Sequence, residues 1–228
     1  MHIPDGYLGP QTYIPFWAAS LVSWSIALKK VKKELSAKQI PYLSMAAAFS
    51  FLIMMFNIPI PGGTTGHAVG AGIIAILLGP WTAVIAVSVV LIIQAIVFGD
   101  GGITAIGANC FNMGVVMPFV SYWIFRLVGG EATKGPKPYV AAFFSGYAGL
   151  SVAAILTAIE FGIQPIIAQG ADGRPLYGPY PLSIAVPAMA LEHLFLFGIL
   201  EGAVTLLLLK YFLKYESGLI YTLRTKEG

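Results

Sequence analysis

The chain has 228 residues, of which 57% are hydrophobic and only 10% are charged, and its mean hydropathy is +0.82. Because an ordinary soluble domain carries about 25% charged residues, this composition excludes a water-soluble protein and favours an integral membrane protein. The net charge of +3 does not indicate nucleic-acid binding, since the basic residues lie in short clusters between apolar runs. With Cys110 as its one cysteine, the chain has no internal disulfide and no multi-cysteine metal site.

Seven apolar segments are candidates for membrane-spanning helices. In chain order they cover residues 12–28, 41–56, 67–79, 81–98, 105–128, 139–163 and 184–209. The third is short and rich in glycine, and Pro80 predicts a boundary between it and the fourth. The first 28 residues contain no Lys or Arg, so we expect the first segment to be a retained membrane helix and no cleaved signal peptide. Residues 1–228 are therefore predicted to form a single all-α transmembrane domain.

The placement of basic residues predicts the orientation of these seven spans. Threading the chain alternately through the membrane leaves only Arg174 of the 13 basic residues on the first side. The other twelve fall on the opposite side, which is typical of a cytoplasmic face. They are Lys29, Lys30, Lys32, Lys33, Lys38, Arg126, Lys134, Lys137, Lys210, Lys214, Arg224 and Lys226. We therefore expect the N-terminus outside the cell and the C-terminus in the cytoplasm.

The first two residues, Met1 and His2, form a potential metal chelate on the external side. The Met1 amine and the backbone nitrogen of His2 close a five-membered ring on one ion, and His2 Nδ1 closes a six-membered ring with its own backbone nitrogen. Three nitrogens then lie in one plane, once a strongly polarising metal has replaced the amide proton, which passes to solvent. This geometry points to Ni(II) or Cu(II) and fits the tetrahedral preference of Zn(II) poorly.

A fourth ligand is needed, and His67 is the natural candidate because it follows a Pro/Gly-rich loop on the same side. His67 has an alternative role as a helix-capping or loop histidine, and His2 as an exposed terminal residue. The two prolines and three large apolar residues among positions 1–10 favour a segment tucked into the protein. Asp5 is a candidate to orient an imidazole or to offset metal charge, or else a turn residue in Pro4-Asp5-Gly6.

The N-terminal sequence resembles a motif of a known protein family. Met1-His2-Ile3-Pro4-Asp5-Gly6-Tyr7-Leu8 is similar to the N-terminal signature of the NikM/CbiM family, the substrate-binding (S) components of energy-coupling factor (ECF) nickel and cobalt transporters. Pro61-Gly62-Gly63-Thr64-Thr65-Gly66-His67 resembles the second motif of that family. Asn109-x-x-Asn112-Met113-Gly114 and Leu191-Glu192-His193 are similar to later motifs. The resemblance covers essentially the whole chain.

The resemblance implies a square-planar site made by Met1, His2 and His67, and an S-component fold with one extra N-terminal helix. The transported ligand would be Ni(II), with Co(II) as the alternative, because low-spin planar binding favours nickel. It also implies a prokaryotic plasma-membrane location. The expected partners are a membrane-embedded coupling (T) subunit, two ATP-binding subunits and a small accessory membrane subunit. No nucleic-acid partner is expected.

Several polar side chains fall inside predicted helices and are candidates for function. Gln94, Asn109, Asn112, Glu192 and His193 are candidates for an outer shell around the metal, with interhelical packing as the alternative. A second hypothesis is a stand-alone divalent cation channel or secondary transporter that uses intramembrane glutamates and histidine. It would draw on Glu160, Glu192, His193 and Glu201.

A third hypothesis is a membrane enzyme with Glu192 and His193 as acid and base. The chain contains no G-x-x-x-x-G-K-S/T motif and no common hydrolase motif. We therefore expect no enzymatic activity in this chain, with ATP hydrolysis in the partner subunits.

Overall fold

The computed structural model describes residues 1–34, 39–129 and 132–221. Within these ranges the chain is predominantly helical, in agreement with the predicted class. The α-helices are α1 (Pro10–Glu34), α2 (Ile40–Met54), α3 (Ala71–Leu78), α4 (Pro80–Ile93), α5 (Ile106–Asn109), α6 (Met117–Val128), α7 (Lys137–Gly162), α8 (Gln164–Ile167), α9 (Leu182–Glu192) and α10 (Gly198–Tyr215). Lys38, Arg224 and Lys226, which the sequence assigns to the basic side, lie outside the described residues.

Three π-helical segments extend or join these helices. Gln94–Phe98 continues α4, Cys110–Val116 joins α5 to α6, and His193–Phe197 joins α9 to α10. A π turn changes which face of the helix the following side chains occupy, and such turns are frequent at functional sites. No sequence signal predicted them.

Four continuous helices in the described part of the chain are long and apolar enough to cross a membrane. They are Pro80–Phe98, Ile106–Val128, Lys137–Ile167 and Leu182–Tyr215. The shorter helix α2 is also apolar, and α1 has 25 residues. The chain is therefore a multi-pass membrane protein.

The third predicted span is wrong as a helix over residues 67–79. Only Ala71–Leu78 is helical, and eight residues at about 1.5 Å each rise about 12 Å, far less than a bilayer core of about 30 Å. Residues 67–70 before it are non-helical and buried, which a membrane protein tolerates where the backbone is enclosed by protein. His67 thus precedes the helix by four residues instead of starting it. The boundary before Pro80 is confirmed, because Gly79 adopts φ +93° between α3 and α4.

Helix α3 lies in the interior, where it packs against α4, α6, α7 and α10. Every residue of α3 is buried. The chain enters this interior position through a short antiparallel ribbon, β1 (Ile58–Pro59) with β2 (Thr65–Gly66). This ribbon and an isolated bridge between Gln169 and Pro175 depart slightly from the predicted all-α class. The ribbon places Thr65 and His67 at the end of the bundle where residues 1–9 also lie.

Candidate metal centre

Residues 1–9, the N-terminal segment, are inserted into the protein. Met1 and Ile3 have no exposed surface, and His2 is 3% exposed. The alternative that His2 is an exposed terminal residue is therefore wrong. Burial of the apolar Met1, Ile3 and Leu8 side chains stabilises this insertion, since each removes apolar surface from water.

Asn109 fixes the backbone next to His2. Its Oδ1 accepts a hydrogen bond from Ile3 N at 2.8 Å, and its Nδ2 donates to Ile3 O at 3.1 Å. The backbone nitrogen of Gly102 also donates to Ile3 O at 2.8 Å. A Cβ at Gly102 would overlap the backbone of Pro4 and Asp5, so glycine permits this close approach. Asn109 therefore supports the position of His2 through the neighbouring residue.

Asp5 does not orient an imidazole, which corrects one of the two roles considered for it. Its carboxylate accepts bonds from Ile103 N at 3.1 Å, Thr104 N at 2.9 Å and Thr104 Oγ1 at 2.5 Å. Further along the segment, Gly9 N donates to Gln164 Oε1 at 3.0 Å. These contacts attach the N-terminal segment to the loop at residues 103–104 and to the start of helix α8.

The Met1 amine faces His67 in the interior. It donates to the carbonyl oxygen of Thr65 and, at 2.9 Å, to Thr65 Oγ1, and it lies 3.1 Å from His67 Nε2. Burial lowers the pKa of this amine from 8.0 to about 4, against an opposing effect of the Asp100 carboxylate. At neutral pH the amine is therefore unprotonated, and its lone pair is available to a metal.

The tautomer of His67 leaves its Nε2 free to coordinate. His67 Nδ1 lies 3.1 Å from the carbonyl oxygen of Ala68, and because a carbonyl only accepts, Nδ1 must carry the proton. The lone pair of Nε2 then points toward the Met1 amine.

His2 shows the complementary arrangement. Its Nε2 donates to Gln94 Oε1 at 3.2 Å, so its Nδ1 carries the lone pair. Within the described ranges Nδ1 has no hydrogen-bond partner, and it lies 3.4 Å from Asp100 Oδ1. Burial lowers the pKa of His2 from 6.5 to about 3, so the imidazole is neutral. The backbone nitrogen of His2 donates to Thr65 Oγ1 at 3.3 Å.

The spacing of two of these nitrogens matches the requirement of one small ion. Two nitrogens at right angles, each about 2.0–2.1 Å from a metal, are about 2.9 Å apart. Met1 N and His67 Nε2 are 3.1 Å apart, and the His2 and His67 imidazole centroids are 4.7 Å apart. Across residues 1–34, 39–129 and 132–221, no group of three or more His, Cys, Asp or Glu side chains is placed to hold a metal. The further nitrogen donors beside the two imidazoles are the Met1 amine and the His2 backbone nitrogen.

Two of the other candidates do not join this cluster. Asn112 Nδ2 donates to Thr157 Oγ1 at 3.1 Å and to Glu160 Oε2 at 2.9 Å, which links helices instead of holding the N-terminal segment. Glu192 is half-buried, and among the residues that the structure describes it forms no hydrogen bond or ion pair.

His193 is buried, and its Nδ1 donates to Met189 O at 2.8 Å, a bond within its own helix. Its ring also contacts Phe197, with centroids 5.7 Å apart. Among the described residues His193 Nε2 has no hydrogen-bond partner, and His193 lies near enough to the Met1 amine and His67 to interact with both electrostatically. The structure therefore brings together Met1, His2 and His67, with His193 nearby but hydrogen-bonded only within its own helix.

Two residues of the site were not individual candidates from the sequence: Thr65 and Asp100. Thr65 accepts bonds from both the Met1 amine and the His2 amide. Asp100 lies between glycines in a turn and accepts a bond from Asn57 Nδ2 at 3.1 Å. An acidic residue in the otherwise uncharged turn 99–102 was the one available signal for Asp100.

Comparison with known proteins identifies the family. The model of the CbiM family, described as the cobalt uptake substrate-specific transmembrane region, matches residues 2–219. The chain belongs to the CbiM family. This CbiM-family chain is 54% identical over 206 residues to the fused nickel transport protein NikMN of Rhodobacter capsulatus, a match that covers 90% of the chain and 59% of that relative.

Two further matches extend along nearly the whole CbiM-family chain. The probable fused nickel transport protein LarMN of Lactiplantibacillus plantarum is 45% identical over 230 residues, covering 100% of the chain and 69% of that relative. A crystal structure of a truncated transition metal transporter is 47% identical and superposes with a TM-score of 0.90, covering 94% of this chain and 99% of that one. The fold and the family are thus established independently of the site geometry.

Proposed function

We propose that this protein is the metal-binding membrane component of an ATP-driven uptake transporter and that it captures one Ni(II) ion. The ligands are the Met1 amine, the His2 backbone nitrogen, His2 Nδ1 and His67 Nε2. The observation that carries the proposal is the 3.1 Å approach of the Met1 amine to His67 Nε2 inside the protein. The tautomers of both histidines leave the required nitrogens unprotonated.

The metal preference follows from the geometry of this donor set. Ionisation of the His2 amide requires a strongly polarising ion, and four nitrogens in a plane suit Ni(II) or Cu(II). Co(II) is the alternative substrate, and the family description names cobalt, whereas the two relatives described above carry nickel in their names. The planar amidate site favours nickel over cobalt.

The orientation of the protein follows from its charge distribution. The metal centre lies at the end of the bundle that contains the ribbon and the turn 99–102. The lysines of α1 and the last-turn Lys214 of α10 lie at the far ends of their helices, in the direction expected for a cytoplasmic face. The seven segments, including the extended entry to α3, then cross the membrane with the N-terminus outside.

Transport requires partners, because this chain has no nucleotide-binding motif. We propose a membrane-embedded coupling subunit, two ATP-binding subunits and a small accessory membrane subunit. The stand-alone channel draws less support, because Glu160 bonds Asn112 and Glu201 bonds backbone amides instead of facing an open path.

Calorimetry with Ni(II) and Co(II) tests the proposed site. Purified protein with its native terminus is compared with a variant that carries three additional glycines before Met1, because a single glycine would create a new four-nitrogen chelate from the amine, two amides and the imidazole of Gly-Met-His. The extension converts the Met1 amine into an amide, and the interior leaves no exposed surface at Met1. We expect tight Ni(II) binding by the native protein and loss of binding by the extended one. Equal binding by the two forms would overturn the terminal chelate.

A further inference from the structure

Residues 65–70, the entry segment, carry His67 into the protein as non-helical backbone after Gly66. Two helices hold this backbone. Glu201 of α10 accepts bonds from Val69 N at 2.8 Å and from Gly70 N at 3.0 Å. On the other side, Ser50 Oγ of α2 donates to Val69 O at 2.8 Å.

The peptide between Ala68 and Val69 connects Glu201 to the imidazole of His67. This peptide is planar, and its N–H, from Val69, donates to the Glu201 carboxylate. Its carbonyl, from Ala68, accepts the Nδ1 proton of His67 at 3.1 Å. The direction of the Val69 N–H therefore fixes the direction of the Ala68 carbonyl. Hydrogen bonds linked in such a chain strengthen one another.

We infer that Glu201 is a positioning residue for the metal ligand His67, acting through the Ala68–Val69 peptide. The inference rests on the proposed nickel site and adds to it the group that fixes its fourth ligand. A metal-bound histidine usually donates its second N–H to a carbonyl or a carboxylate, which fixes the tautomer and the ring orientation. In this protein the Ala68 carbonyl accepts the second N–H of His67. The Glu201 carboxylate accepts the N–H of the same peptide, which comes from Val69.

The local structure calls for a carboxylate at position 201. Two adjacent N–H groups converge on it, and both Glu201 oxygens accept, with Gly70 N 3.0 Å from each. Glu201 has no exposed surface. Burying an ionisable side chain inside a membrane bundle costs free energy, so such residues are usually functional. Gly70 adopts φ +76°, and a Cβ there would lie 2.5 Å from Phe49 Cε1. The backbone at this point is thus shaped to bring both N–H groups to the carboxylate.

Nickel titration of Glu201→Gln tests this role. The amide keeps one acceptor oxygen and nearly the same volume, so the Val69 and Gly70 amides lose part of their partner. We expect the Ni(II) dissociation constant to rise about 10–100-fold, the usual effect of losing an outer hydrogen-bond partner. Glu160→Gln is the matched control, because Glu160 is also a buried glutamate but bonds the Asn112 side chain. The control variant should bind nickel as the wild type does.

A double-mutant cycle with His67→Ala separates positioning from general destabilisation. If Glu201 acts through His67, Glu201→Gln should change nickel affinity by no more than about twofold in the His67→Ala background, the error of such cycles. An equal loss in both backgrounds would overturn the inference, as would wild-type affinity in the single variant. A wild-type protein that binds no nickel would instead overturn the proposed metal site.

Histidine-selective ¹⁵N NMR of the wild-type protein tests the relay even where Glu201→Gln does not fold. The metal-free protein should show His67 protonated at Nδ1 and unprotonated at Nε2. The opposite tautomer would overturn the inference, because the Ala68 carbonyl would then hold no imidazole proton.

Discussion

The N-terminal segment and the entry segment contribute to the proposed metal centre in different ways. The first supplies three proposed ligand nitrogens from two consecutive residues, and the second supplies one, from His67. Loops and helices hold the first through Asn109, Asp5 and Gln164. Ser50 and Glu201 hold the second from opposite sides. The proposed ligands in the N-terminal segment are therefore close together because they are neighbours in the chain. His67 joins them only because the fold brings the entry segment there.

This difference predicts unequal losses when each half is damaged. Once one nitrogen of Met1 or His2 has bound the ion, the covalent chain presents the next at high effective concentration. His67 is 65 residues away and is available only because the interior holds it in place. Changes to the terminal chelate should therefore weaken binding most, and changes to the supporting hydrogen bonds least.

Removal of the His2 imidazole should have the largest effect among side-chain substitutions. His2→Gln removes Nδ1 and its six-membered chelate ring but keeps a bulky second residue, so that Met1 is retained. We expect nickel binding to fall below detection in calorimetry, because the remaining amine and amide no longer favour amide ionisation. Unchanged affinity would show that the terminal chelate does not hold the metal.

Substitution of His67 should cause a large loss of nickel affinity, but a smaller loss than substitution of His2. His67→Ala leaves the three terminal nitrogens, and water can occupy the fourth position. We expect the nickel affinity to fall by more than the factor of about 10–100 that follows the loss of a hydrogen-bond partner of a metal ligand. His193→Ala is the comparison variant, since His193 is a buried histidine near His67 whose Nδ1 bonds Met189 within its own helix. Equal losses in the two variants would place His193 among the ligands.

Of the three substitutions, that of Gln94 should reduce nickel affinity least. Gln94→Leu removes the acceptor of the His2 Nε2 proton and leaves the ring free to change tautomer. We expect nickel affinity to fall about 10–100-fold, and Gln94→Glu, which keeps an acceptor, to restore most of it. A Gln94→Leu variant with wild-type affinity would show that packing alone sets the orientation of His2.

The helices were predictable because their signals are local, and the terminal chelate, which stays a prediction, was proposed from an equally local signal. Apolar runs mark α4, α6 and α7 whatever their neighbours are, and the donor atoms of Met1 and His2 are adjacent in the chain. The extent of α3 was not predictable. Its non-helical approach is stable because Glu201, more than 130 residues away, bonds the free backbone amides.

The surroundings of the proposed ligands were hidden for a similar reason. Gln94 was a candidate only by its location, Thr65 appeared only as part of the motif that ends at His67, and Asp100 belongs to no recognisable motif. Gln94 begins a π-helical turn, and Asp100 follows it in a glycine-rich turn. Their roles come from contacts with residues 1 and 2, more than 60 positions away.

X-ray absorption spectroscopy of the nickel-loaded protein tests the central claim most directly. The account predicts a single shell of four nitrogen ligands in a planar arrangement around Ni(II), including histidine imidazoles. The signature should be lost when three glycines precede Met1. A six-coordinate nickel with oxygen ligands, or a spectrum unchanged by the added glycines, would contradict a site built from Met1, His2 and His67.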